Sequence, residues 1–270
     1  MSLQQALDVA LECSADGAQI ARAGLGRARN IVRKQSSSDL VTEFDLAVEH
    51  AIVARLRAEF PDDAIIGEEG TAVAGNRRWY VDPIDGTTNF AHGLPFFGIS
   101  IGLVDEEGPA VGVVVAPALR WCFSAQRGGG AWLTEHDAAP RRLEVSHTPV
   151  LLDALLATGF PYDLRTSADD NLAAFTALQK EAQAVRRVGA ASLDLAMVAA
   201  GWLDGYWERK LKPWDLAAGL LLVTESGGRV SGFEGGPLDL ASLASGRVVA
   251  TNGRIHDALV AALGRVETNA

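Results

Sequence analysis

The run Trp79-Tyr80-Val81-Asp82-Pro83-Ile84-Asp85-Gly86-Thr87-Thr88-Asn89-Phe90 constrains this chain more than any other stretch. Its aromatic and β-branched opening, Trp79 to Val81, reads as a buried strand. Asp82 and Pro83 predict an abrupt strand end and a turn, because proline cannot donate to a ladder. Pro83 stiffens the link between Asp82 and Asp85, and Gly86 admits backbone conformations closed to other residues. Two carboxylates and several backbone N–H groups would then gather at one strand end. Carboxylates so close repel unless a proton or cation lies between them, and hard divalent cations such as Mg²⁺ take oxygen ligands. The N–H groups of Gly86, Thr87 and Thr88 suit an anion, as helix N-termini and nests do. Cation and anion together point to phosphate. Asp-Gly alone also reads as a plain turn between strands, and two aspartates do not complete a metal site.

The remaining ligands must come from elsewhere in the chain. Ala64-Ile65-Ile66 reads as a short strand ending in Gly67-Glu68-Glu69-Gly70, where adjacent acids gain nothing from each other in solvent but suit a metal. If the strand pleat persists, Glu69 points away from Glu68. Asp204 to Glu208 reads as a strand ending at an acid, and Lys212-Pro213-Trp214-Asp215 opens a helix that Gly227-Gly228 stops. Asp215 falls in the first turn, where the helix dipole favours a carboxylate by about 0.3–1 kcal/mol, so capping is a sufficient structural role.

Other segments read as scaffold. Ser2 to Ala23 has the spacing of an amphipathic helix and not of a signal peptide. The polar loop Lys34 to Asp45 leads into a second helix with Leu46, Glu49, Ile52, Val53 and Leu56 at helical spacing, and Thr42 or Asp45 reads as its cap. Phe97 to Val104, Ala110 to Ala116 and Trp121 to Ala125 predict an antiparallel meander, with Gly128-Gly129-Gly130 as a tight hairpin. The polar stretch His136 to Thr148 divides the chain into halves, 1–145 and 146–270, expected to form one compact unit. The second half carries helices around Asp170 to Ala184 and Ala190 to Ala200, and closes with a strand at Arg247 to Thr251 and a helix from Arg254 to Leu263.

The net charge of -10 and pI near 5.0 argue against nonspecific binding to nucleic acid or anionic membrane, both of which need excess Lys and Arg. An anionic substrate must be attracted locally. Arg209, Lys210 and Lys212 form a basic cluster readable either as solvated charges or as a steering patch, in one version acting across a dimer interface. Cys13 and Cys122 lack metal-ligand spacing and read as reduced buried thiols. No apolar run reaches the roughly 18 residues of a membrane span, and the expectation is a cytoplasmic enzyme.

Asp-Pro-Ile-Asp-Gly-Thr at 82–87 resembles the metal-binding signature of the inositol monophosphatase family, and Trp-Asp-x-Ala-Ala-Gly at 214–219 resembles a second family signature. The resemblance extends from about Lys34 to Gly228 and includes the Glu68-Glu69 pair and Gly189-Ala190-Ala191-Ser192. It implies an α/β fold, a layered αβαβα sandwich, and usually a homodimer. It implies two or three Mg²⁺ per site, with Glu68, Asp82 and the Ile84 carbonyl holding the first and Asp82, Asp85 and Asp215 the second. Glu68, Thr87 and Asp45 would be catalytic. Asp85, Gly86, Thr87, Ala191, Glu208 and Asp215 would contact substrate, beneath a loop carrying Lys34, Asp39 and Thr42. The implied activity is hydrolysis of a phosphate monoester, inositol 1-phosphate first, with Li⁺ sensitivity. Fructose 1,6-bisphosphate, histidinol phosphate or 3′-phosphoadenosine 5′-phosphate are the alternative substrates, and a non-catalytic regulatory protein keeping the fold is the alternative class. Asn89, where the nucleotide branch would carry an acid, favours the inositol branch.

Overall fold

In a computed structural model, which describes residues 2–34, 39–136, 138–238 and 246–269, the first turn of the chain follows its capping chemistry. The Ser2 hydroxyl accepts from the Gln5 N–H and opens helix α1, Leu3–Gly24, whose Ala6, Ala10, Cys13 and Ala21 are wholly buried. A small hairpin, β1 (Val32–Arg33) with β2 (Leu40–Val41), precedes α2, Glu43–Glu59. Of the loop from Lys34 to Asp45, residues 35–38 lie outside the described residues.

Eight strands make the first sheet. They are β3 (Ala64–Gly67), β4 (Ala72–Val73), β5 (Arg78–Asp85), β6 (Gly98–Asp105), β7 (Gly108–Ala116), β8 (Trp121–Gln126), β9 (Gly130–Glu135) and β10 (Arg141–Arg142), in spatial order β10-β9-β8-β7-β6-β5-β3-β4. The expected meander from β6 onward is antiparallel throughout, and β8 and β9 meet at the glycine hairpin. Within this sheet, among the described residues, β3 and β5 alone pair in parallel.

The second sheet has five strands among the described residues: β11 (Leu155–Thr158), β12 (Ala184–Arg186), β13 (Gly205–Glu208), β14 (Arg229–Ser231) and β15 (Val248–Thr251), ordered β12-β11-β13-β15-β14. Helices α4 (Leu172–Glu181), α5 (Ala191–Ala199), α6 (Pro213–Glu225) and α7 (His256–Asn269) alternate with them, and a single short turn, α3 (Thr87–Ala91), follows β5. α1 and α2 cover one face of the first sheet, α5 and α6 lie between the two sheets, and α4 and α7 cover the far face of the second. This is the αβαβα sandwich, and each helix layer seals a separate apolar core.

One sequence expectation needs correction. The strand does not stop at Asp82; β5 continues through Pro83 to Asp85. β5 itself absorbs the proline in a bulge, since Asp82 pairs with Ser100 and Asp85 with Gly98, so three steps on β5 match two on β6. The turn comes only at Gly86, which adopts φ +90°, and an added Cβ there would stand 2.9 Å from the Gly189 carbonyl oxygen.

Helix α6 lies directly on the paired residues Gly102 and Gly112 of β6 and β7. A Cβ at Gly112 would sit 2.8 Å from the Ala218 oxygen. Gly112→Ala is therefore expected to cost about 1–3 kcal/mol of stability in chemical denaturation; an unchanged midpoint would mean that α6 moves aside freely.

His256 is fully buried between the Thr251 and Ser231 hydroxyls. Burial pushes its pKa down to about 4 from the ordinary 6.5. Between those values the unfolded chain binds a proton that the folded chain does not, so this contribution is complete above pH 6.5 and is lost as pH falls toward 4. His256→Gln should flatten the fall in melting temperature across that window, and an identical slope in the variant would refute the assignment.

Candidate active site

Strand register brings the first two acids together. Gly67 on β3 pairs with Val81 on β5, so the next residues along, Glu68 and Asp82, are neighbours. The Glu68 N–H donates to the Val81 carbonyl at 3.1 Å, and the Asp82 carboxyl lies close enough to that of Glu68 for the Glu68 charge to push its pKa up. Such proximity calls for a proton, or a cation in its place. The Asp82 Oδ1 also accepts from the Ile84 N–H at 3.0 Å.

Asp85 is held by the other half of the chain. Helix α5 begins at Ala191 without a side-chain cap of its own. Asp85 supplies one across 106 residues: its Oδ1 accepts from the Ala191 N–H at 3.1 Å, and its Oδ2 from the Ser192 N–H at 2.7 Å and the Ser192 hydroxyl at 2.5 Å. Asp215 is fixed in the first turn of α6, where its Oδ2 accepts from the Lys212 N–H at 2.6 Å. The Ser100 hydroxyl, opposite Asp82 on β6, donates to the Trp214 carbonyl at 2.9 Å and ties that turn to the sheet.

The neighbouring hydroxyl is also tethered. Thr87 Oγ1 lies 3.1 Å from Asp45 Oδ1 and 3.0 Å from the Ile84 carbonyl oxygen. The other Asp45 oxygen accepts from the Thr42 N–H and hydroxyl in a capping box at the start of α2.

The acids perturb one another. Burial and then the charges of Glu68, Asp85 and Asp215 push the Asp82 pKa well above the ordinary carboxylate range. Burial, Asp85 and Glu68 do the same to Asp215. Burial also raises Asp85, against the hydrogen bonds from Ser192 and Ala191. Glu68 rises through burial despite Lys34, whose Nζ lies 3.0 Å from Glu68 and 2.6 Å from Glu69. Among the described residues no three such side chains converge into a ready-made cation cage. The donor set nonetheless fits a hard divalent cation: all donors are oxygens, withdrawn from water, and mutually repulsive until positive charge joins them.

Residues 2–268 match the inositol monophosphatase family. The inositol-1-monophosphatase of Synechocystis sp. is 43% identical over 97% of this chain and 89% of its own length. The Nus factor SuhB of Pseudomonas aeruginosa is 41% identical over 96% of this chain and 95% of its own. This chain belongs to the inositol monophosphatase family. Among solved structures, the inositol monophosphatase of Anabaena superposes with a TM-score of 0.86 at 39% identity, covering 98% of this chain and 97% of that one. By this membership the chain is a phosphomonoesterase.

Two more of the residues expected at the site lie in the second half. Glu208 ends β13, bonds the Tyr206 hydroxyl and rests on Gly159, where a Cβ would stand 2.1 Å from its oxygens. Burial raises its pKa to about 7. Ala191 reaches the site through its N–H on Asp85. Thr42 reaches it through Asp45, and Lys34 through Glu68. Asp39 is buried, and its carbonyl accepts from the Lys34 N–H at 2.8 Å.

Two further expectations fail. Glu69 does not point away from Glu68, because β3 ends at Gly67 and the turn that follows breaks the pleat; both acids meet Lys34. Two members of the basic cluster are not free to steer either, while Lys212 is exposed. Arg209 is buried between Asp169 and Glu267 and lies over the Phe233 ring, and Lys210 pairs with Asp163 at 2.7 Å.

Sequence reading passed over Ser100, Ser192 and Tyr162. The only signal for Ser100 is a lone hydroxyl in an apolar strand, and for Ser192 a hydroxyl beside the quoted Ala191. Tyr162 carries none; it is half exposed, yet partial withdrawal from water and the charges of Glu68, Asp215, Asp82 and Asp85 push its phenol up.

Proposed function

We propose that this chain is a Mg²⁺-dependent phosphatase acting on inositol 1-phosphate, with the catalytic centre at the ends of β3, β5 and α6. The observation that carries the reading is the strand register that sets Glu68 beside Asp82, with Asp85 and Asp215 near enough to repel them, an arrangement of acids that a structural role does not call for. Support for the substrate comes from the names of curated relatives and from Asn89.

Glu68, Asp82 and the Ile84 carbonyl would hold one Mg²⁺ and Asp82, Asp85 and Asp215 a second, with a third ion in some states. Bound there, the ions would supply Lewis-acid activation of water and neutralise charge on the phosphate and leaving oxygen. The protein's own work is alignment and proton handling. Thr87 and Glu68 orient the attacking water. Asp45 draws on the Thr87 hydroxyl and makes its oxygen a better acceptor of the water's hydrogen bond. The N–H groups of Gly86 and Thr87 hold phosphate oxygens. Glu208 accepts from the polyol hydroxyls, with Ala191 lining the same side. The two halves, 1–145 and 146–270, act as one unit, since Asp85 from the first is clamped by α5 of the second. A homodimer, a cytoplasmic location and inhibition by Li⁺ complete the reading. Among the described residues no helix is long and apolar enough to cross a membrane.

The name of the Pseudomonas relative supports a second reading, a regulatory protein that keeps the fold. Phosphate release from inositol 1-phosphate, fructose 1,6-bisphosphate, histidinol phosphate and 3′-phosphoadenosine 5′-phosphate, with Mg²⁺ and with chelator, separates the two. Chelator-sensitive release fastest from inositol 1-phosphate is expected. Preference for another ester would keep the mechanism and change the substrate, and no release from any would leave the regulatory reading. Asp85→Asn and Asp215→Asn should keep the fold by circular dichroism and lower turnover by about two orders of magnitude or more, on the scale of losing a preorganised electrostatic group. Unchanged turnover in either would remove that residue from the site.

A further inference from the structure

Glu49 lies on the buried side of α2, one helical turn after Asp45, and is 4% exposed. No cation meets it among the described residues. Both oxygens instead accept from the turn that follows β3: Oε2 from the Glu69 N–H at 2.8 Å, and Oε1 from the Thr71 N–H at 3.2 Å and the Thr71 hydroxyl at 2.6 Å. The turn closes on itself, since the Gly67 N–H donates to the Thr71 carbonyl at 2.9 Å. Gly67 lies flat on the acid, so that a Cβ there would stand 2.4 Å from Oε2. A buried carboxylate without a cation persists only when donors satisfy it, and hydrogen bonds to a charged acceptor are about twice as strong as neutral ones.

We propose that Glu49 is a positioning residue: its carboxylate locks the Gly67–Thr71 turn so that Glu68 faces Asp82. The inference rests on the reading of Glu68 as a metal ligand. Helix α2 then serves as a ruler. Asp45 holds the Thr87 end of β5 and Glu49 holds the Glu68 turn beyond β3, and one turn of helix sets the spacing of the two ligand-bearing segments. Lys34 grips Glu68 from the solvent side, where a long side chain can let go; Glu49 grips its backbone from within.

The test compares Glu49→Gln, Thr71→Val and Glu68→Gln in the full chain. An amide at position 49 turns a donor toward the Glu69 N–H or the Thr71 N–H, whichever way it is oriented. Thr71→Val removes only the hydroxyl donor and guards against a Glu49 variant that does not fold. Mg²⁺ binding is measured by calorimetry without substrate, melting temperature in chelator, and turnover as a function of Mg²⁺. Glu49→Gln should weaken Mg²⁺ binding about tenfold or more, as losses around metal ligands do, while turnover at saturating Mg²⁺ falls much less. Thr71→Val should shift binding in the same direction by less. If both variants lose melting temperature but bind Mg²⁺ as the parent does while Glu68→Gln binds it poorly, Glu49 is scaffold and the proposal is wrong. If Glu68→Gln also binds normally, the metal assignment falls and takes this inference with it.

Discussion

Asp85 caps a helix that belongs to the other half of the chain, and the active-site architecture depends on that contact. Its two oxygens satisfy the Ala191 and Ser192 N–H groups at the bare N-terminus of α5, where the helix dipole also favours negative charge. The same bonds lower the energy of a carboxylate that burial and its neighbours would otherwise protonate. One interaction therefore joins the two halves, seats a helix between the sheets and offsets part of the burial that raises the pKa of this acid. Gly86 follows directly, turning the chain away while its bare Cα lets the Gly189 carbonyl approach.

The other acids are restrained by the same economy of backbone contacts. Asp215 closes the first turn of α6, Asp82 accepts from Ile84 two residues on, and Asp45 closes the first turn of α2. In each case one oxygen is bound to nearby backbone, which fixes the direction of the other. The rigid sandwich supplies what local bonds cannot, namely the positions of the three helix and strand ends relative to one another. Helix α6 rests on Gly102 and Gly112 with its backbone and the small Ala217 side chain directly against them.

Membership of the inositol monophosphatase family and the phosphomonoesterase activity that follows fit this construction, in which positioning and electrostatics carry the catalytic load. The second sheet has a different part. β13 ends at the buried Glu208, and Gly159 of the neighbouring strand's extension leaves the space its carboxylate occupies.

Much of this was legible in the sequence. The two signatures, the Glu68-Glu69 pair and the meander after Phe97 are local patterns, and local chemistry determines strand and helix ends through proline, glycine and capping residues. The αβαβα layering followed from family resemblance, and the helices at Leu3–Gly24 and Pro213–Glu225 followed from periodicity and caps. What only the tertiary structure decided was which distant groups meet. β5 runs on through Pro83 because it bulges there and rejoins β6 at Gly98. Glu69 turns toward Lys34 because Glu49, 20 residues earlier, has pulled its backbone into a turn. Arg209 looks like part of a basic surface in sequence and is neutralised by Asp169 and Glu267, 40 and 58 residues away. Sequence determines the residue types and their local conformations, but the energy of a buried charge depends on its neighbours in space, and those are set by how the sheets and helices pack.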